Sequence, residues 1–306
     1  MISEKTGLAD RIASGKPLVL AEIAPPAGSD AGPLVSSARL FAGKVHALGI
    51  SDNRDGVCMS SLVAASLVAA EGVEPILHMV TRDRNRIALV SDWLGARALG
   101  IRNVLCTSGT HQTLSRFRAA RNVFDLDCVQ LLQTYANLGT DAALVGEERL
   151  DGAGSFCLGG VAAPFADPIE LQTLRLAKKV AAGAKFLITQ PVFDLERFGL
   201  WMDEVKRSGI HERVAIVAGI LPLTSAAKAR EYAQSRPSPR IPPAMLERIT
   251  REPDASAQRA AGIQQAVETI RKLSAVKELR GFQVSGDWDA AAAVETIEKS
   301  GLGISQ

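Results

Sequence analysis

The sequence predicts an α/β chain folded as one (β/α)8 barrel domain over residues 1–306. Short runs rich in Val, Ile and Leu alternate with longer amphipathic stretches, the rhythm of a parallel sheet wrapped in helices. Eight such strand and helix pairs in 306 residues match the length of a closed barrel. No Gly-rich dinucleotide fingerprint follows the first strand, which disfavours an open doubly wound sheet.

In chain order the apolar runs are Pro17–Ile23, Ala47–Ser51, Pro75–Val80, Val104–Thr107, Ser155–Leu158, Phe186–Thr189, Val214–Ala218 and Phe282–Val284. Helical patterns lie at Pro33–Val45, Ser60–Ala70, Asn85–Leu99, Cys128–Asn137, Pro168–Ala182, Leu195–Ser208, Ser225–Ser235, Ser256–Leu273 and Trp288–Ser300. Gly49, Gly100 and Gly183 fall at or near helix-to-strand junctions, where glycine can take a positive φ. No repeat or low-complexity tract divides the chain, and the nearest linker candidate, Arg236–Pro243, is short.

Composition narrows the function classes. Apolar residues at 47% and charged residues at 22% exclude a disordered or fibrous chain. With 35 basic and 33 acidic residues the formal charge is +2, so nucleic acid is not an expected partner and any anion site must be local. No run approaches the roughly 20 apolar residues of a membrane helix. Met1–Lys16 lacks the apolar core of an export signal, so a cytoplasmic protein without a membrane partner is expected. Cys58, Cys106, Cys128 and Cys157 are too widely spaced for a zinc motif and too few for a disulfide scaffold, so reduced thiols are expected. The four histidines are also scattered, and no metal site is expected.

In a (β/α)8 barrel the active site forms at the carboxyl ends of the strands. Glu22 closes the first strand, and a carboxylate there faces either the outer helical layer or the barrel mouth. Its functional reading is a general acid with its proton affinity raised by an apolar surround; its bland reading is a surface or capping acid. The second strand ends in Ser51, Asp52, Asn53, Arg54, Asp55 and Gly56, a loop dense in hydrogen-bonding groups that also suit a turn. The third runs through His78 to Thr81, Arg82, Asp83, Arg84, Asn85 and Arg86, with Asn85 placed to cap a helix. The three arginines there suit a pyrophosphate or carboxylates, and equally an Arg/Asp surface network. The fourth strand closes with Ser108, Gly109, Thr110 and His111; the fifth offers Gly159 and Gly160, which would let a flat ligand approach the backbone. Gln190, at the end of the sixth, presents both donor and acceptor, suited to a pterin or flavin edge or to a structural amide. The seventh is followed by a small-residue turn in which Ser225 reads as a helix cap.

Taken together, these motifs resemble the methylenetetrahydrofolate reductase family from Glu22 to about Glu298. The most specific segments are Glu22-Ile23-Ala24-Pro25-Pro26, Ile188-Thr189-Gln190-Pro191-Val192-Phe193-Asp194 and Gly219-Ile220-Leu221-Pro222-Leu223, with Arg240-Ile241-Pro242. Met59-Ser60-Ser61-Leu62, Arg82-Asp83-Arg84-Asn85-Arg86 and Val123-Phe124-Asp125-Leu126-Asp127 look more like the branch of anaerobic and one-carbon-metabolising prokaryotes. In some members of that branch the reductase works beside a zinc-containing subunit, so such a partner, and an oligomer, belong to the expectation. The resemblance implies a barrel that holds FAD and passes a hydride between the flavin and the 5,10-methylene- and 5-methyltetrahydrofolate pair, with NAD(P)H or another donor supplying electrons. By position Glu22 would be the catalytic acid, and Gln190, Tyr232 and Lys228 would meet the folate, although Lys228 stands where the family usually has glutamine. Ser51, Asp52, His78, Thr81, Arg82, Asp83, Ser108, Gly109, Thr110, Gly159 and Gly160 would lie along the flavin.

The sequence departs from the family in two places. Ser108 and Thr110 flank Gly109 where well-known members carry arginine and aspartate. A neutral Thr110 would raise the potential of a bound flavin unless Asp52 or Asp83 substitutes for the missing charge. Gly159-Gly160-Val161-Ala162-Ala163-Pro164 replaces the usual Tyr-Pro-Glu-x-His-Pro segment, which leaves FMN or no flavin open beside FAD. Three readings follow: an oxidoreductase of this folate pair, flavin-dependent or flavin-independent; a pterin-binding methyltransferase component; and a noncatalytic scaffold barrel.

Overall fold

The computed structural model describes residues 7–140, 150, 154–235 and 238–304. Eight parallel strands close into a barrel in chain order: β1 (Leu18–Ile23), β2 (Ala47–Ile50), β3 (Pro75–Val80), β4 (Asn103–Thr107), β5 (Cys157–Ala162), β6 (Phe186–Pro191), β7 (Ala215–Ile220) and β8 (Leu279–Ser285). The closing pair is β8 with β1, whose register sets Leu18 against Gly281 and Glu22 against Ser285. Around it run α1 (Leu8–Ala13), α2 (Gly32–Phe41), α3 (Ser61–Ala70), α4 (Arg86–Ala98), α5 (Cys128–Thr140), α6 (Ile169–Ala181), α7 (Leu195–Arg207), α8 (Ala226–Ser235), α9 (Pro243–Thr250), α10 (Ala255–Leu273) and α11 (Ala290–Lys299). The expected barrel is the observed one. No helix among the described residues is long and apolar enough to cross a membrane.

The two-residue period of the strands sorts side chains into two cores. On β1, Val19, Ala21 and Ile23 pack outward in the cluster shared with the helices, while Leu18 and Leu20 join Ile76, Leu105, Phe186 and Val217 inside the barrel. Glu22 follows Leu18 and Leu20 on the inner face, so periodicity alone carries its carboxylate into the mouth. The opposite end of the barrel is covered by α1, whose Leu8 is buried with the interior cluster and whose Leu8 N–H donates to the Glu74 carboxylate at 3.2 Å. The apolar patterning missed α1 because it spans only six residues.

Capping explains several helix starts. The Asn85 side chain accepts from Ala88 N at 3.0 Å, as expected, and Ser225 Oγ accepts from Lys228 N at 3.4 Å. Gly100 and Gly183 take positive φ, +75° and +107°. Gly49 does not: it lies inside β2, where a Cβ would come 2.9 Å from His78 Nε2, and Gly43 (φ +72°) follows α2 instead.

The fifth strand corrects the sequence reading most. It spans Cys157–Ala162, so Gly159 and Gly160 are paired strand residues. A Cβ on Gly159 would meet the Phe186 ring at 2.2 Å, and one on Gly160 would sit 3.4 Å from Leu187 and Lys179. The close approach these glycines allow is to the protein's own side chains. Ladder pairing on both edges outweighs the low strand propensity of glycine. Accordingly, Gly159→Ala should destabilise the fold by about 1 to 3 kcal/mol through overpacking against Phe186, read by denaturant unfolding. An unchanged midpoint would contradict this packing role.

Candidate active site

Five side chains converge at the carboxyl end of β1. Glu22 is almost fully buried, with 8% of its side chain exposed, and its Oε2 accepts from Gln283 Nε2 of β8. Its Oε1 pairs with the Arg54 guanidinium, from the loop after β2, and lies 4.0 Å from His78 Nδ1 on β3. A second edge of Arg54 donates to Asp287 Oδ2 in the loop after β8. Arg54 therefore spans the mouth from β2 to β8, across Glu22. The surround of Glu22 is polar, which corrects the apolar environment expected from sequence.

His78 contributes no compensating charge. Burial, reinforced by the neighbouring Arg54, pushes its imidazole down to about 3, so it is neutral at physiological pH. Its Nε2 is buried without a partner. The group facing Glu22 from β3 is thus a neutral ring, and the cation is Arg54 alone among these residues.

The β2 to β4 side of the mouth is occupied by an arginine–carboxylate network. Arg82, 2% exposed, donates to both Asp83 carboxylate oxygens at 2.7 Å, to the Asn53 carbonyl at 2.7 Å and to the Thr110 carbonyl at 3.0 Å. Arg84 holds Asp52 in a bidentate pair at 2.7 and 3.0 Å and reaches Asp92 at 3.1 Å. Asp52 also accepts from Val80 N at 3.0 Å. Arg86 pairs with Asp125 at 3.0 Å. Of the two readings open for these arginines, the structure supports the Arg/Asp network.

The remaining candidates divide between the two sides. Ser51 is buried and its N–H donates to the Ile23 carbonyl at 3.1 Å; Thr81 is fully buried with an unpartnered Oγ1. Ser108 Oγ accepts from Cys128 N at the start of α5, at 3.1 Å. Gly109 has φ +80°, and a Cβ there would lie 2.6 Å from Val80. Across the mouth, Gln190 donates to the Ser238 carbonyl at a long 3.4 Å while its Oε1 is buried and unpartnered. Tyr232 meets Phe193 and Trp288 edge-on, with ring centroids 6.0 and 6.1 Å apart, and Lys228 Nζ donates to the Trp288 carbonyl at 3.2 Å. Trp288 and Asp287 line a cleft of about 230 Å³ with Ile23, Pro26, Pro33 and Leu34. Glu22 and His78 are thus adjacent, Tyr232 and Lys228 contact Trp288, the neighbour of Asp287, and of the flavin-side candidates Asp52, Arg82, Asp83 and the Thr110 carbonyl belong to the arginine–carboxylate network.

Comparison with known proteins shows the family of the chain. The family model described as methylenetetrahydrofolate reductase matches residues 7–284. The chain belongs to the methylenetetrahydrofolate reductase family. The Caenorhabditis elegans "Probable methylenetetrahydrofolate reductase (NADPH)" is 26% identical over 225 residues, 72% of this chain and 31% of that protein. The Escherichia coli (strain K12) "5,10-methylenetetrahydrofolate reductase" is 32% identical over 112 residues, 36% of this chain and 37% of that protein. The chain thus matches about a third of the length of each of these relatives. Among solved structures, an uncharacterised Clostridium thermocellum protein that binds two copies of 5-methyl-5,6,7,8-tetrahydrofolic acid superposes with a TM-score of 0.66. The two are 14% identical over 95% of this chain and 98% of that one, a likeness of fold.

FAD is the group that the resemblance places here; of the side chains assigned to it, His78 Nε2 and Thr81 Oγ1 are buried without partners, while the charged ones are engaged within the protein. The three arginines after β3 are already paired: Arg82 with Asp83, Arg84 with Asp52, Arg86 with Asp125. Asp52 and Asp83, the acids that were to substitute for the missing charge at Thr110, are neutralised by the same arginines. Gly159 and Gly160 face packed side chains.

Sequence reading missed Gln283 and Asp287 altogether and saw Arg54 only as part of a turn-rich loop. The available signal was Gln283, a polar residue on the inner period of β8 opposite Leu20. Two outcomes follow from this geometry. Arg82→Gln should cost about 1 to 3 kcal/mol of folding stability, because it removes a buried guanidinium from two loop carbonyls and the partly exposed Asp83; a stable variant that loses flavin binding would contradict the network reading. Wild-type stability should fall as pH drops below about 6.5 toward about 3, since the unfolded chain protonates His78 while the native state does not. His78→Gln should flatten the unfolding profile across that window, and an unaltered slope would show that His78 is not held neutral.

Proposed function

We propose that the chain interconverts 5,10-methylenetetrahydrofolate and 5-methyltetrahydrofolate, with Glu22 handling the proton and a reduced nicotinamide supplying the hydride directly. The single observation that carries this reading is a buried carboxylate at the barrel mouth, oriented by Gln283 and contacted by one cation, in a chain of this family. The fold shared with a 5-methyltetrahydrofolate-binding protein supports the folate side of the reading.

In the reducing direction Glu22 gives its proton to N10 of the folate as the bond from N10 to the methylene carbon breaks. The electron pair of that bond goes to N10, leaving an iminium between the methylene carbon and N5. Hydride from C4 of the reduced nicotinamide then forms the third C–H bond of the methyl group, and the nicotinamide leaves oxidised. One proton and one hydride are consumed, and the carboxylate is re-protonated from solvent. Gln283 fixes the carboxylate orientation, and the neutral His78 adds no second cation that would hold the proton away. Gln190 has an unpartnered acceptor and a weakly used donor, the pair of groups that a pterin edge matches. The spent arginines on the β2 to β4 side favour the flavin-independent form of this reaction.

The test is turnover of 5,10-methylenetetrahydrofolate with NADH or NADPH by protein stripped of flavin, repeated with FAD added. Activity without flavin is expected. Activity that appears only with FAD would restore the flavin relay, and methyl transfer to a corrinoid without hydride chemistry would place the chain among methyl carriers. Glu22→Gln should keep folate affinity and lose on the order of 10²-fold or more in turnover; near-normal turnover would remove Glu22 from the proton path. Gln190→Glu should weaken folate binding by about 1 to 3 kcal/mol in calorimetric titration, and an unchanged affinity would make this amide structural.

A further inference from the structure

A proton donor that is ion-paired cannot hold its proton, and Glu22 is paired with Arg54 in the free protein. If Glu22 serves the reaction proposed above, the guanidinium must leave it when substrate arrives. The geometry supplies a place for it to go. Asp287 accepts from Arg54 through Oδ2, while Asp287 Oδ1 is buried and has no partner. A guanidinium presents two parallel N–H groups to the two oxygens of one carboxylate, so the edge now on Glu22 can close onto Asp287 Oδ1. The number of charge-assisted bonds made by Arg54 is then conserved. Exposure agrees on which partner moves: 33% of the Arg54 side chain is exposed, against 8% for Glu22 and 13% for Asp287.

We propose that Arg54 is a substrate-displaced latch, bridging Glu22 and Asp287 in the free protein and re-seating wholly on Asp287 when a folate enters the mouth. Asp287 is the positioning residue of this device, acting on Glu22 only through Arg54. Bond-making in each position is balanced, and no proton moves with the latch itself. Its effect is to keep Glu22 ionised and shielded until a pterin covers it, then to free the carboxyl group to take a proton. The charged and titratable groups facing Glu22 are Arg54 from the loop after β2 and His78 from β3, with Asp287 behind Arg54 from the loop after β8; Gln283 on β8 is neutral. His78 is already neutral, so the latch is the element that changes.

The experiment is a carbon-13 NMR titration of the Glu22 carboxyl group in the full chain, without and with saturating 5-methyltetrahydrofolate. In the wild type, folate should raise the midpoint of the Glu22 titration. In Arg54→Gln that midpoint should already be raised in the free protein, by roughly 1 to 3 pH units, the usual effect of losing an adjacent cation. Folate should then move it little. Arg54→Lys keeps the charge and should leave the free-protein midpoint near the wild-type value, which separates loss of the ion pair from a general disturbance of the loop. In Asp287→Asn the free-protein midpoint should stay low and the folate-induced rise should vanish, because the guanidinium has lost its second seat. A folate response of wild-type size in Asp287→Asn, or an unmoved midpoint in Arg54→Gln, overturns the latch. A wild-type protein that binds no folate overturns the functional reading and the latch with it, whereas one that binds folate with a fixed Glu22 midpoint overturns the latch alone.

Discussion

Everything at the mouth of this barrel answers to one constraint, the burial of the Glu22 carboxylate inside a ring of strands. An isolated buried carboxylate is strongly disfavoured, so each neighbouring element supplies it with a partner or makes room for one. β8 supplies Gln283, the loop after β2 supplies Arg54, and Gly49 leaves space for the His78 ring beside it. Asp287 then balances Arg54 from the far side. The interior thus changes from Leu18 and Leu20 below to a charged, hydrogen-bonded layer above within one strand.

A second arrangement follows from the same economy of charge. On the β2 to β4 side, Arg82, Arg84 and Arg86 each meet a carboxylate, and Arg82 also ties the Asn53 and Thr110 carbonyls together. That cross-linking shapes the loops that frame the mouth. Residue 110 contributes its backbone carbonyl to Arg82, a contact that does not depend on the side chain at that position. The residues around Glu22 and the scaffold beside them are therefore drawn from the same loops, with Arg54 on one side of Asn53 and Asp52 on the other.

The fold was legible in the sequence because strand alternation and helix patterning are local signals, and Glu22 was legible because it is a carboxylate on the inner period of an apolar strand. Gln283 carries the same kind of signal on the last strand but in weaker form, since an amide within a strand is less anomalous than a charge. The roles of Arg54 and Asp287 depend on barrel closure, which brings residues 233 positions apart into one ion pair, and no local pattern announces it. The arginines after β3 were ambiguous for a related reason. Arg82 finds Asp83 next to it, but Arg86 finds Asp125 39 positions away. Gly159 and Gly160 were misplaced because a glycine that makes room for Phe186 and one that admits a ligand look alike until the neighbouring strand is in position.

In the proposed reaction the proton passes through Glu22 while hydride passes straight from nicotinamide to the folate carbon. Turnover with nicotinamide deuterated at the transferring C4 position, followed by mass analysis of the product methyl group, tests this most directly. Direct transfer predicts one deuterium retained in the methyl group. Deuterium lost to solvent would contradict the account, because a flavin relay exchanges the hydrogen at N5 with water before passing it on.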